Sequence, residues 1–115
     1  MINKNELIKQ ELLKYSEIFV NIEEDKKPFV ERLYKQAAFM SATLDELQEI
    51  INTEGAVITS VNGNGFETTS EHPAQKSYNT MIKNYNATIK SLIELLPEDK
   101  NEKDELTEFL QRDAK

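Results

Sequence analysis

Apolar residues in the first segment, about Lys4 to Val20, recur at alternating steps of four and three: Ile8, Leu12, Tyr15, Phe19 and Ile22. At about 100° per residue these positions share one face of a helix. Leu7, Leu13 and Ile18 widen that face. The polar run Asn21 to Lys27 breaks the pattern, and Asp25 with Pro28 three residues on predicts an N-cap and the first turn of a second helix. That helix carries Val30, Leu33, Ala37, Met40, Leu44, Leu47 and Ile51 in unbroken three-four spacing. Running to Glu54, it spans roughly 40 Å. Phe29 and Ile50 flank its stripe, whereas Phe39 projects to the opposite side, so a second face of this helix also calls for a partner.

From Glu54 to Lys76 the helical spacing stops, and all three glycines and the single histidine fall in this stretch. Gly55 is placed to end the second helix with a positive φ, and Pro73 to open a third. Between them, Ala56 to Val61 and Phe66 to Ser70 are rich in β-branched residues around Asn62-Gly63-Asn64-Gly65, the pattern of a β-hairpin. A loop of Gly63-Asn64, or of all four residues, sets Val61 opposite Phe66, Thr59 opposite Thr68 and Val57 opposite Ser70. A two-stranded hairpin alone is marginal in water, so this one must lean on the helices or on another chain.

After the hairpin, Tyr78, Ile82, Tyr85, Ile89, Leu92 and Leu96 repeat at helical spacing up to Pro97. The third helix should therefore run back antiparallel along the second. Beyond it the chain turns strongly polar, with Leu106, Phe109 and Leu110 marking a short amphipathic helix, about Glu102 to Gln111, that is loosely attached or ordered by a partner, the alternative being that its apolar face folds back on the chain's own hairpin. The expected fold is mainly α: a long antiparallel helical hairpin with a small β-hairpin inserted between its two long helices, plus an N-terminal helix and a short C-terminal one. Three segments follow: residues 1–25, the N-terminal helix and link; 26–97, the helix, β-hairpin and helix core that would oligomerise; and 98–115, the acidic tail.

Composition adds limits rather than a function. A chain of 115 residues is a single-domain length, and its modest core makes self-association a common remedy. Without cysteine there is no disulfide framework and no thiolate metal site. No apolar run is long enough to span a bilayer, and Met1 to Glu6 lacks the order of a secretion signal, so a cytosolic location is expected. His72 has no nucleophile or orienting group beside it in the sequence, and its position before Pro73 suits a helix cap. The carboxylates form no calcium loop, and no phosphate-binding glycine motif is present. The sequence therefore points to no catalytic residue, no metal and no cofactor.

Net charge is −7, which opposes generic attraction to nucleic acid. Only residues 73–97 are net basic, with three lysines against Glu94. Lys76, Lys83 and Lys90 are seven residues apart and line up along the third helix, away from its apolar stripe.

The order of motifs resembles the small terminase subunits of tailed bacteriophages, in the group without an evident N-terminal helix-turn-helix. The matching residues are Asp25 before a long helix, Glu54-Gly55, Asn62-Gly63, His72-Pro73-Ala74 and Glu94 to Pro97, over roughly residues 25–97. The resemblance implies a non-enzymatic, ring-forming protein in the cytoplasm of the bacterial host. It would recognise viral double-stranded DNA and pass it to the large terminase subunit. On this reading Lys76, Lys83 and Lys90 contact DNA, Phe39, Ile50 and Phe66 contact neighbouring subunits, and Leu106, Phe109 and Leu110 contact the large subunit. The alternative from the residues alone is a helical-hairpin adaptor that binds a protein partner and no nucleic acid.

Overall fold

The computed structural model describes residues 3–97 and 100–112. They form α1 (Lys4–Ile18), α2 (Lys27–Glu54), β1 (Val57–Val61), β2 (Glu67–Glu71), α3 (Pro73–Leu95) and α4 (Lys100–Arg112). Helices α2 and α3 pack antiparallel along their length with the β-hairpin inserted between them, in a molecule 62 Å long and 28 by 22 Å across. The spacing of apolar residues accounts for this pairing: Val30, Ala37 and Leu44 of α2 and Leu92 of α3 are buried on the stripes that periodicity predicts.

The core lies at the end of the molecule where α2 begins and α3 finishes. Its centre is Tyr15 of α1, whose ring stacks on Tyr34 of α2 (centroids 5.6 Å apart, planes 3° apart) and meets Phe109 of α4 edge-on (5.1 Å, 88°). Helix α1 is thus a layer between α2 and α4. A second buried face of α2 is formed by Ala38 and Ala42, about a third of a turn from Ala37, in the four-residue row that starts at Tyr34, whose ring meets Tyr15 and Phe19 of α1. Phe39, which suggested such a face, is itself 51% exposed.

Four expectations need correction. First, Asp25 does not cap α2; the cap position is Lys26, which makes no side-chain capping bond. Second, the tail is neither loose nor free. Leu106 and Phe109 are 1% and 3% exposed within the same core as Tyr15 and Ile18, and Leu110 packs at its margin. Asn21 Nδ2 also donates to Glu102 Oε1 at 3.0 Å. Burying these side chains on α1 removes more apolar surface from water than a free tail could. The three segments, distinct in composition, therefore share one core.

Third, the hairpin register is shifted by one: Val57 pairs with Glu71, Thr59 with Thr69 and Val61 with Glu67. The loop has three residues. Asn62 N donates to Phe66 O (2.9 Å), Gly65 N donates to Asn62 O (3.0 Å), and Gly65 takes φ +82°. Asn62 Oδ1 accepts from Asn64 N and Phe66 N at 2.9 and 3.1 Å, which holds the turn. A one-residue shift moves each β2 side chain to the other face. Phe66 therefore lies on the side of Ile58 and Ser60, while Val57 and Val61 lie with Glu67 and Glu71.

Fourth, of the two supports expected for the hairpin, apolar packing on the helices is absent among the described residues. Every residue of both strands is exposed.

Candidate functional site

Helix α3 carries the lysine line, and its start is fixed at the base of the hairpin. Pro73 occupies the first turn, and His72 Nδ1 accepts from Ala74 N at 2.9 Å as the N-cap. The other ring nitrogen, Nε2, lies 2.9 Å from Glu54 Oε1 at the end of α2. One imidazole thus ties the exit of α2 to the entry of α3. Gln48 Nε2 donates to Tyr78 Oη (3.2 Å) and Asn79 Nδ2 to Glu71 Oε2 (3.2 Å), so polar contacts hold this thin end together. The role of His72 as a cap agrees with its position in the sequence.

With Tyr78, Ile82, Tyr85, Ile89 and Leu92 turned toward α2, Lys76, Lys83 and Lys90 all face solvent. They follow one another at ~10 Å steps along the axis. None has a carboxylate within ion-pair distance among the described residues. Elsewhere five lysines are paired, Lys4 with Glu46, Lys14 with Glu17, Lys26 with Glu23, Lys27 with Glu24 and Lys35 with Glu31, while among the described residues Lys9 and Arg32 also lack an ion pair. Helix α3 thus presents a line of uncompensated positive charge.

Phe39, Ile50 and Phe66 are all exposed, at 51%, 37% and 69%, and the structure does not bring them together. Phe66 stands at the hairpin tip. Ile50, expected to flank the buried stripe, instead shares the outward face of α2 with Phe39, because eleven residues at about 100° each leave the two only ~20° apart. Lys4 Nζ lies 4.6 Å from the centre of the Phe39 ring. Beside Phe39 an open groove of about 1010 Å³ runs between α2 and α3, floored by Pro28, Met40 and Ala87 and edged by Arg32 and Lys35. Lys35 is held protonated above its ordinary range by its hydrogen bond to Glu31, with the same carboxylate's charge adding to the effect. The neighbouring Tyr34 hydroxyl is also raised, by burial first and by Glu31 second. Sequence periodicity missed the groove, because its lining mixes polar residues such as Gln36 and Asn84 with Phe39 and Met40 from the sides of two helices, and no single periodic stripe marks it. Leu106 and Phe109 are committed to the core and cannot sit in a partner's groove at the same time.

No cluster of three or more metal-ligating side chains occurs among the described residues, and none of their helices is long and apolar enough to cross a membrane. Compared with known proteins, the chain significantly matches no family model, no curated protein and no solved structure.

Proposed function

We propose that this chain is a non-enzymatic component of a phage genome-packaging machine, of the small terminase kind. It would work in the host cytoplasm as a homo-oligomeric ring that binds viral double-stranded DNA and regulates the large terminase subunit. The observation that supports DNA handling is the line of Lys76, Lys83 and Lys90, exposed and without acidic partners on an otherwise acidic chain. Three lysines bind weakly alone, and a ring multiplies them into a band of higher avidity. Phe39, Ile50 and Phe66 are the subunit contacts of this reading. Its contact with the large subunit excludes Leu106 and Phe109, which the chain uses for itself.

The test is a gel-shift titration at low salt of the parent and of a chain with all three lysines changed to Gln. The parent should bind duplex DNA with a salt slope of about −0.9 per phosphate neutralised, and the variant should lose most of that binding. Equal binding by both would remove the lysine line from the site.

A helical-hairpin adaptor is the second reading. It is favoured by the β-hairpin, which exposes Val57, Ile58, Val61 and Phe66 and so has the form of a surface awaiting a protein. A parent chain that binds no DNA in the same titration would favour it.

A further inference from the structure

The outward face of α2 is open from Pro28 to Thr53; of its charges Glu46 is held by Lys4 of α1 and Lys35 by Glu31, whereas Arg32 and Glu49 have no ion-pair partner among the described residues. Its first half carries Arg32 and Lys35, and its second half carries Glu46 and Glu49 beside Ile50. Phe39 lies near the middle of the 28-residue helix, between the two halves. Pro28, Phe39 and Ile50 are eleven residues apart, which at about 100° per residue keeps them on one face with ~20° of drift per step. Arg32 has no ion-pair partner among the described residues, and its guanidinium sits on a face that is otherwise half apolar.

The geometry points to this face as the contact of an antiparallel, two-fold symmetric pair of chains. A two-fold contact must be self-complementary: whatever one chain presents before the axis has to fit what it presents after the axis. With the axis at Phe39, Arg32, seven residues before it, meets Glu46, seven after. Pro28, eleven before, meets Ile50, eleven after. Phe39 meets its own copy, the arrangement that best covers an exposed aromatic ring. On the flank, Lys27 comes near Glu49 of the other chain.

Other registers lose these matches. An axis at residue 41 puts Phe39 opposite Thr43 and Arg32 opposite Ile50, and an axis at residue 37 puts Phe39 opposite Lys35. Parallel pairing through this face would set Arg32 beside Arg32 and Glu46 beside Glu46, which like-charge repulsion disfavours. Lys4 covers one side of the Phe39 ring and bonds Glu46 at 2.8 Å, so it forms a rim rather than a lid. In the pair, Arg32 of the second chain joins Lys4 at the same carboxylate. The inference sharpens the self-association part of the function proposed above and is independent of its DNA-handling part. A ring that contains such pairs holds an even number of chains.

Because the chain has no cysteine, a single introduced thiol reports on the axis directly. Oxidation of Phe39→Cys, or its treatment with a short bis-maleimide, should give a covalent dimer, whereas Asn62→Cys on the hairpin loop should give none. In sedimentation experiments, Arg32→Glu and Glu46→Arg should each weaken self-association about tenfold or more. The doubly reversed chain should recover it, because the pair is restored across the axis. Lys4→Gln, which removes the internal bond to Glu46 and the cation beside the Phe39 ring but no residue matched across the axis, should leave association near the parent value. An assembled chain that neither cross-links at residue 39 nor recovers on double reversal overturns the two-fold contact while leaving a ring built through other faces intact. A monomeric parent overturns both, and the DNA titration reports separately on nucleic-acid binding.

Discussion

His72 Nε2 and Glu54 Oε1 lie 2.9 Å apart across the base of the β-hairpin, joining the last residue of α2 to the residue that caps α3. Because Nδ1 of the same ring accepts from Ala74 N, replacing His72 with Ala removes both a cap and a clasp. The expected loss is about 1 kcal/mol, the usual effect of deleting an N-cap. His72→Asn supplies a side-chain oxygen as cap acceptor in place of Nδ1 and should recover part of it. Thermal unfolding of the two variants separates the contributions, and equal melting temperatures for Ala and parent would show that neither contact stabilises the fold.

Gly55 ends α2 with φ +89° and ψ 164°, a combination almost restricted to glycine. A Cβ there would meet nothing closer than Val57 O at 3.9 Å, so the cost of a side chain is backbone strain and not collision. Gly55→Val should destabilise by about 1–3 kcal/mol in denaturant unfolding. Gly55→Ala should cost nearly as much, and an Ala variant as stable as the parent would argue for a different backbone at this position.

Phe109 is 3% exposed and meets the Tyr15 ring edge-on. Phe109→Ala should destabilise by about 3–5 kcal/mol, the range for a large aromatic removed from a packed core. Truncation after Pro97 should be at least as damaging, since it also uncovers Tyr15 and Ile18. A truncated chain that unfolds at the parent's denaturant midpoint would mean that α4 adds nothing to stability.

The raised pKa of Tyr34 has a consequence at alkaline pH. A group whose folded pKa lies above its unfolded value contributes stability that is fully present below the unfolded pKa, near 10, and is lost as pH rises through the folded value. The parent should therefore lose stability above about pH 10. Lys35, raised by Glu31, loses its pair in the same alkaline region. Tyr34→Phe keeps the stack on Tyr15 and should flatten the alkaline decline, leaving the smaller part due to Lys35. An unchanged decline in that variant would assign it elsewhere.

Much of the fold was legible because helices announce themselves by period. Val30, Ala37, Leu44 and Leu92 were placed on stripes by spacing alone, and these stripes are buried. Gly55, His72 and Pro73 were legible for a local reason: backbone conformation and capping depend on residues only a few positions apart. The lysine line of Lys76, Lys83 and Lys90 was equally legible, because a seven-residue spacing fixes a common face whatever the helix packs against.

What lay beyond the sequence required knowledge of distant partners. Whether Leu106 and Phe109 fold back or await another protein depends on a vacant place beside Tyr15, about ninety residues earlier in the chain. Ala38 and Ala42 look neutral in sequence, and become a buried face only once the row they share with Tyr34 meets α1. The hairpin register turned on whether Asn62 and Gly65 close a three-residue loop, a choice between hydrogen-bond patterns that composition does not separate. Periodicity alone determined the helices, their faces and their order, since these follow from local geometry repeated along the chain. Only the tertiary structure decided which faces are covered, because coverage is a competition among all apolar surfaces for the same limited contacts.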